Sequence, residues 1–164
     1  MKLEAIWIIS NLAYGTKEDS LKILHPDYGI LTAVDNILRT SDKPFLEQVL
    51  WFIGNVCGEA KELQEIIISH TCIFEIFMGL IQQQRIAKSL LRTLCWVNSN
   101  LGRYKNLNEK QVKIVVAIAK AGLFCEDDAI VSDSLWLIAY VADTHDDSII
   151  ESMAEQELIG AVIA

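Results

Sequence analysis

The chain has 164 residues, 52% of them apolar and 22% charged, and carries a formal net charge of −8. That composition can bury a sizeable core, and the acidic balance runs against the basic footprint of a protein that grips phosphate backbones. Direct nucleic-acid binding is therefore not expected, whereas a negative field favours encounter with basic partners. The first helix is expected over about Leu3–Tyr14, followed by Gly15, a residue able to take left-handed geometry after a helix C-terminus. Its apolar run is short and contains Glu4 and Asn11, so it reads as a structural helix rather than a signal peptide. No apolar run nears the ~20 residues that would span a bilayer, so no membrane partner is expected.

A short helix follows over about Lys17–Leu24, stopped by His25 and Pro26 because the residue before proline resists helical geometry. Ile30, Leu31, Val34, Ile37 and Leu38 then share one face of a helix over about Tyr28–Arg39. Ser41, Asp42, Lys43 and Pro44 read as a turn, with Pro44 tolerated in the first turn of the next helix, Leu46–Glu59. The next three elements fall at Ala60–His70, Cys72–Gln83 and Ile86–Leu101. After Arg103 the polar segment YKNLNEKQ lacks a full short helix, and helices follow over Val112–Leu123 and Asp128–Val141. The acidic run Glu126, Asp127, Asp128 precedes the last of these, where negative charge meets the positive end of the helix dipole. His145–Ala154 and Glu157–Ala164 begin a further repeat that stays unfinished.

One pattern orders these elements. Trp7 and Asn11, Trp51 and Asn55, Trp96 and Asn100, and Trp136 and Tyr140 each stand four residues apart, so every tryptophan of the chain belongs to it. The four tryptophans are roughly 40 to 45 residues apart, in the range of armadillo or HEAT solenoids. Residues at i and i+4 lie one above the other on a helix face, so each repeat presents an aromatic plate beside an amide. Stacked repeats turn four pairs into a ladder on one surface, which suits an extended peptide. The expected organisation is a single array over 1–164, with ladder helices near 3–14, 45–57, 86–101 and 128–141.

A lone tryptophan on a helix is ordinarily core, but four with a polar partner at the same offset are not. Burying Asn11, Asn55 and Asn100 without partners would cost about 1–3 kcal/mol apiece. Other chemistry finds little support. Cys57, Cys72, Cys95 and Cys125 are scattered, without a CxxC pair, and read as buried reduced thiols of an intracellular protein. Asp143, His145, Asp146 and Asp147 lack the glycine and terminal glutamate of a calcium loop and read as a solvated loop. His25, His70 and His145 have no nucleophile motif or phosphate-binding loop beside them, so no enzyme, metal or cofactor is expected.

The segments WIISNLAYGT, LEQVLWFIGNVCGE, LLRTLCWVNSNLGRYKN and SDSLWLIAYVAD resemble, in order, the central armadillo repeats of importin alpha, the adaptor that binds nuclear localisation signals. Tyr140 in place of asparagine in the last segment, and Arg103 breaking the ladder, are part of the likeness. The resemblance covers the whole chain and implies an all-α, right-handed armadillo solenoid of about four repeats with incomplete ends. It implies that Trp7, Trp51, Trp96 and Trp136 wall slots for Lys and Arg stems, while Asn11, Asn55 and Asn100 hold the ligand backbone. The chemistry suits those roles. A Lys stem is apolar, its ammonium is drawn to an indole face by about 0.5–2 kcal/mol, and an amide can both donate to and accept from a backbone.

The family's most selective pocket takes one lysine, with a glycine carbonyl, a hydroxyl and a carboxylate that fall on Gly15, Ser20 and Glu59. Ser20 replaces threonine there and Glu59 replaces aspartate, a longer acid that can shift the ammonium. Asp133 matches a second acidic contact, whereas Ala129 stands where many members carry another acid, which weakens the distal slot. The implied partners are Lys/Arg-rich cargo, with importin beta expected for the family although its basic binding segment is not found in the chain. The implied location is cytoplasm and nucleus. A fragment, a mispredicted gene and a reduced paralogue all remain open readings. So does an armadillo scaffold that binds other extended segments without transport.

Overall fold

The computed structural model describes residues 2–40, 43–83, 85–143, 147–155 and 160. All regular structure among them is helical. In chain order the helices are α1 (Lys2–Leu12), α2 (Lys17–Ile23), α3 (Ile30–Thr40), α4 (Lys43–Glu59), α5 (Lys61–His70), α6 (Ile73–Ile81), α7 (Lys88–Gly102), α8 (Glu109–Leu123), α9 (Asp128–Ala142) and α10 (Asp147–Glu155). A 3-10 turn, Pro26–Tyr28, separates α2 from α3. The chain divides into two compact units, Met1–Ile76 and Phe77–Ala164.

In the first unit α1 lies against α4, and α4 packs on α3 and α5. The α4 helix supplies most of this core, since Val49, Leu50, Phe52, Ile53 and Val56 are all buried. Each such side chain contributes about 1.5–3 kcal/mol of burial. Leu38 from α3 and Leu63 and Ile67 from α5 complete it. Capping fixes the element starts. Thr16 accepts from the Asp19 N–H at 3.3 Å while the Asp19 carboxylate accepts from the Thr16 N–H, so α2 begins on a reciprocal cap. Asp35 of α3 accepts from the Cys72 N–H at 2.8 Å, just ahead of α6.

In the second unit α7, α8 and α9 pack mutually around Leu94, Leu101, Ile118, Ile130 and Leu137. The contact is close at Gly122, where a Cβ would come 2.2 Å from Ser134 Oγ and 2.8 Å from Cys95 Sγ. Asn98, fully buried, donates to the Val115 carbonyl at 2.7 Å and ties α7 to α8. Asn108 and Gln111 cap α8 reciprocally, and Asp127 caps α9 while also pairing with Lys88 and Arg92 of α7. The capping role expected for the acidic run is thus carried by Asp127.

The helices fall in the expected order, with no helix over 104–108, and the ends differ in instructive places. Gly15 is not left-handed: α1 closes at Leu12, and the Gly15 N–H donates to the Leu12 carbonyl at 3.2 Å. A Cβ there would come 3.1 Å from Asp19 Oδ2, so glycine lets the capping carboxylate approach. The left-handed positions among the described residues are Gly29 (φ 63°) and Lys105 (φ 55°). Gly58 lies inside α4, and Gly102 ends α7 packed against Leu137. Ser41, Asp42, His145, Leu158, Ile159, Val162 and Ile163 lie outside the described residues.

Candidate functional site

The sequence places its four aromatic pairs on α1, α4, α7 and α9, and the structure can be followed pair by pair. In the first unit Trp7 is 60% exposed and Trp51 50% exposed, so neither indole serves as core. Trp7 borders an open cleft of about 410 Å³ lined by Glu4 of α1 and by Pro44, Glu47 and Gln48 from the start of α4. Carboxylates beside an indole are the environment that a Lys or Arg side chain seeks. Glu4 and Glu47 are additions to the expected site. Their signal lay in the sequence, three and four residues before a tryptophan.

Asn11 is exposed, whereas Asn55 is half-buried and its amide donates to the Ser10 carbonyl at 3.0 Å. One amide hydrogen of Asn55 is therefore committed to the joint between α1 and α4. Glu59 is exposed at the last residue of α4, and among the described residues it has neither a hydrogen-bond nor an ion-pair partner. A carboxylate at the negative end of a helix dipole gains nothing from the helix itself. The ion pair of Lys17 with Glu62, 2.8 Å long, joins the start of α2 to the first turn of α5.

Ser20 requires a correction. Its side chain is fully buried and donates to the Ala13 carbonyl at 3.4 Å, facing the α1–α2 packing instead of a ligand. The reason is its place on α2, a short helix whose inward side holds Ser20 at the level of Ala13. Asn100 also departs from expectation, being buried within α7, while Trp96 is half-buried. An amide so enclosed does not present itself to a ligand backbone.

In the second unit Trp136 is 56% exposed and stacks on Tyr140, with ring centroids 5.7 Å apart and planes 27° apart. Asp133 precedes Trp136 by one turn on the same face of α9. It is half-buried and, among the described residues, forms no hydrogen bond or ion pair, and burial pushes its carboxyl above the ordinary value of 3.8. A desolvated carboxylate without a partner, beside an aromatic stack, is electrostatically incomplete. A cation placed there regains for the carboxylate what burial removes. Ala129 is exposed one turn earlier and adds no charge.

Cys57, Cys72 and Cys95 are buried, and burial pushes the Cys72 and Cys95 thiols up to about 11, which leaves them poor nucleophiles. Among the described residues no three His, Cys, Asp or Glu side chains gather closely enough to hold a metal, and no single helix is long and apolar enough to cross a membrane.

No family model matches the chain. Among curated proteins it is similar to importin subunit alpha-1b of Oryza sativa subsp. japonica, at 24% identity over 91% of this chain and 27% of that protein. Importin subunit alpha-9 of Arabidopsis thaliana is 28% identical over 88% of the chain and 27% of its own length. Importin subunit alpha-2 of Caenorhabditis elegans is 25% identical over 100% of the chain and 31% of its own length. The chain thus spans about a third or less of these relatives. Among solved structures, a designed armadillo repeat protein in complex with the peptide (KR)4 aligns with a TM-score of 0.79 at 18% identity, over 97% of this chain and 65% of that one. A computationally designed armadillo repeat protein for modular peptide recognition aligns with a TM-score of 0.72 at 16% identity, over 96% and 63%. The fold is that of the armadillo-repeat solenoids, and the resemblance to importin alpha holds over most of the sequence.

Proposed function

We propose that this armadillo-repeat relative of importin alpha subunits is a receptor for Lys/Arg-rich protein segments, bound in extended form across its tryptophan-bearing helices. The observation that carries the reading is Asp133, half-buried and without a partner beside the Trp136–Tyr140 stack. Exposed Trp7 and Trp51, with Glu4, Glu47 and Glu59 nearby in sequence, support the same chemistry at α1 and α4. The net charge of −8 adds attraction for basic ligands. A designed relative in fold is in complex with a peptide of alternating Lys and Arg, the ligand class proposed here.

In this reading residues 1–164 act as one array. Neighbouring helices pack about 8–10 Å apart and an extended peptide advances about 3.3 Å per residue, so each rung takes roughly three ligand residues. A role as a nuclear import adaptor, movement between cytoplasm and nucleus, and cooperation with importin beta belong to the same proposal and rest on the importin alpha likeness. The burial of Ser20 and Asn100 favours one second reading, a scaffold for other extended segments, because it removes a hydroxyl and an amide from the ligand surface.

A calorimetric titration separates the two. A peptide of alternating Lys and Arg binds, and binds more weakly as salt is raised, because exposed charges are screened. A neutral peptide of equal length binding equally well would replace the first reading with the second.

A further inference from the structure

The α8 helix is enclosed on three sides and open on the fourth. It packs on α7, α9 and α10, and Val112, Ile114, Val115, Val116, Ile118 and Ala119 are buried. Taken round the helix at 3.6 residues per turn, those positions cover more than half of its circumference. The remaining arc holds Lys110, Lys113, Ala117, Lys120, Ala121 and, at the C-cap, Phe124. Lys110, Lys113 and Ala121 are exposed, Ala117 and Lys120 are half-buried, and Phe124 is 67% exposed. Ile114 borders the arc on one flank and Val116 on the other, both buried, and α10 of the following repeat already lies against α8. The arc is therefore the outer side of an enclosed helix and not one of the two end faces of the array.

Its charge runs against that of the chain. Three lysines share the arc, and the carboxylate at its edge is Glu109, which pairs with Lys113 at 2.7 Å. The chain as a whole has a net charge of −8. The corresponding middle helices carry nothing similar. Arg39 is the basic residue of α3 and is engaged by Asp35 at 2.8 Å and Glu75 at 3.5 Å, while α6 has no basic residue. A mixed polar side is enough to keep such a helix in water. One of a single sign that ends in an exposed phenyl ring offers a partner charge and apolar contact together.

We infer that the outer side of α8 is a docking surface for an acidic protein segment that carries an apolar residue at one end. The argument for that occupant is charge complementarity over a limited length. From Lys110 to Phe124 the arc runs about 21 Å, the reach of roughly six residues of extended chain. Carboxylates along such a segment meet the three ammonium groups, and an apolar side chain at its end meets Phe124. A nucleic-acid duplex or a lipid surface is wider than one helix. It would bring Glu126 and Asp128, both exposed just beyond Phe124, and the rest of an acidic chain against its phosphates. A short segment touches the arc alone. The arc is turned away from α9, so an acidic segment here leaves the Trp136–Tyr140 stack clear for a ligand of the opposite sign.

Fluorescence anisotropy of a labelled peptide, a run of glutamates ending in two leucines, tests the inference against the full chain. The wild type binds it saturably at low salt and more weakly as salt is raised. A triple variant, Lys110→Gln with Lys113→Gln and Lys120→Gln, binds it about tenfold more weakly, and Phe124→Ser also weakens it, through lost apolar contact. Circular dichroism checks that both variants keep their helices. The triple variant holds a peptide of alternating Lys and Arg within about twofold of the wild type, because charges on the far side of the repeat are screened. That arm separates failure of the α8 surface from failure of the basic-segment reading. No saturable binding of the glutamate peptide to the wild type overturns the inference, as does equal binding by the triple variant or by a peptide with glutamine in place of glutamate. Lysine-dependent binding of anionic lipid vesicles or of duplex DNA, without binding of the glutamate peptide, overturns it too and assigns the arc to that surface.

Discussion

The side-chain amide of Asn55 donates to the backbone carbonyl of Ser10 at 3.0 Å, joining the middle of α4 to the end of α1. Ser10 is itself buried and turns its hydroxyl onto the Ile6 carbonyl at 2.8 Å, so its own carbonyl depends on Asn55 for this bond across the joint. The ladder amide therefore has a structural task besides any contact with a ligand. Asn55→Ala is expected to lower stability by about 1 kcal/mol, read from the urea midpoint, through the lost hydrogen bond. Trp51→Ala, at a half-exposed indole, is expected to move that midpoint less while weakening a basic peptide. A Trp51→Ala chain that unfolds would return this tryptophan to the core.

The Asp35 carboxylate couples the first unit to pH. It accepts from Arg39 Nε and from the Cys72 N–H, each at 2.8 Å. The Arg39 hydrogen bond, followed by those from Cys72, holds its carboxyl below the ordinary 3.8 against an opposing effect of burial. A folded-state value below the unfolded one makes the stabilisation fully present above the unfolded value, and removes it as pH falls through the folded one. Acid titration of the wild type followed by circular dichroism is expected to show a loss of stability below about pH 4 that Asp35→Asn blunts. At neutral pH, Asp35→Ala is expected to cost about 1–3 kcal/mol, because the Cys72 N–H loses its acceptor.

Gly122 and Ser134 set the distance between α8 and α9. Gly122→Ala would place a methyl 2.2 Å from Ser134 Oγ and 2.8 Å from Cys95 Sγ, both in the interior. Overpacking of this kind costs about 1–3 kcal/mol, more than the helix propensity gained by alanine. Ser134→Ala removes the nearest atom, so the double variant is expected to be more stable than the sum of the two single changes. Strict additivity in thermal melts would mean that the helices separate freely at this point.

The order of helices was legible because their apolar positions repeat at helical spacing and because Pro26, Pro44 and the polar 104–108 segment interrupt them. The exposed indoles of Trp7, Trp51 and Trp136 match the i, i+4 pattern. Burial of Ser20 and Asn100 was not legible, since a shared helix face does not say how deeply a neighbouring helix covers its end. The turn geometry was misread for a related reason. Glycine permits left-handed backbone without requiring it, and the chain uses that freedom at Gly29, after the Pro26–Tyr28 turn, while Lys105 adopts it without being glycine.

The most direct test of basic-segment recognition is calorimetric titration of a Lys/Arg peptide into the wild type, Asp133→Asn and Asp133→Lys. A charged hydrogen bond contributes about 1.5–3 kcal/mol, so Asp133→Asn is expected to weaken binding roughly tenfold to a hundredfold, and Asp133→Lys by more. Because burial raises the Asp133 carboxyl above 3.8, its charge and the wild-type affinity are lost together as pH falls through that raised value, whereas Asp133→Asn follows pH less steeply. Affinity unchanged in Asp133→Lys would contradict the account.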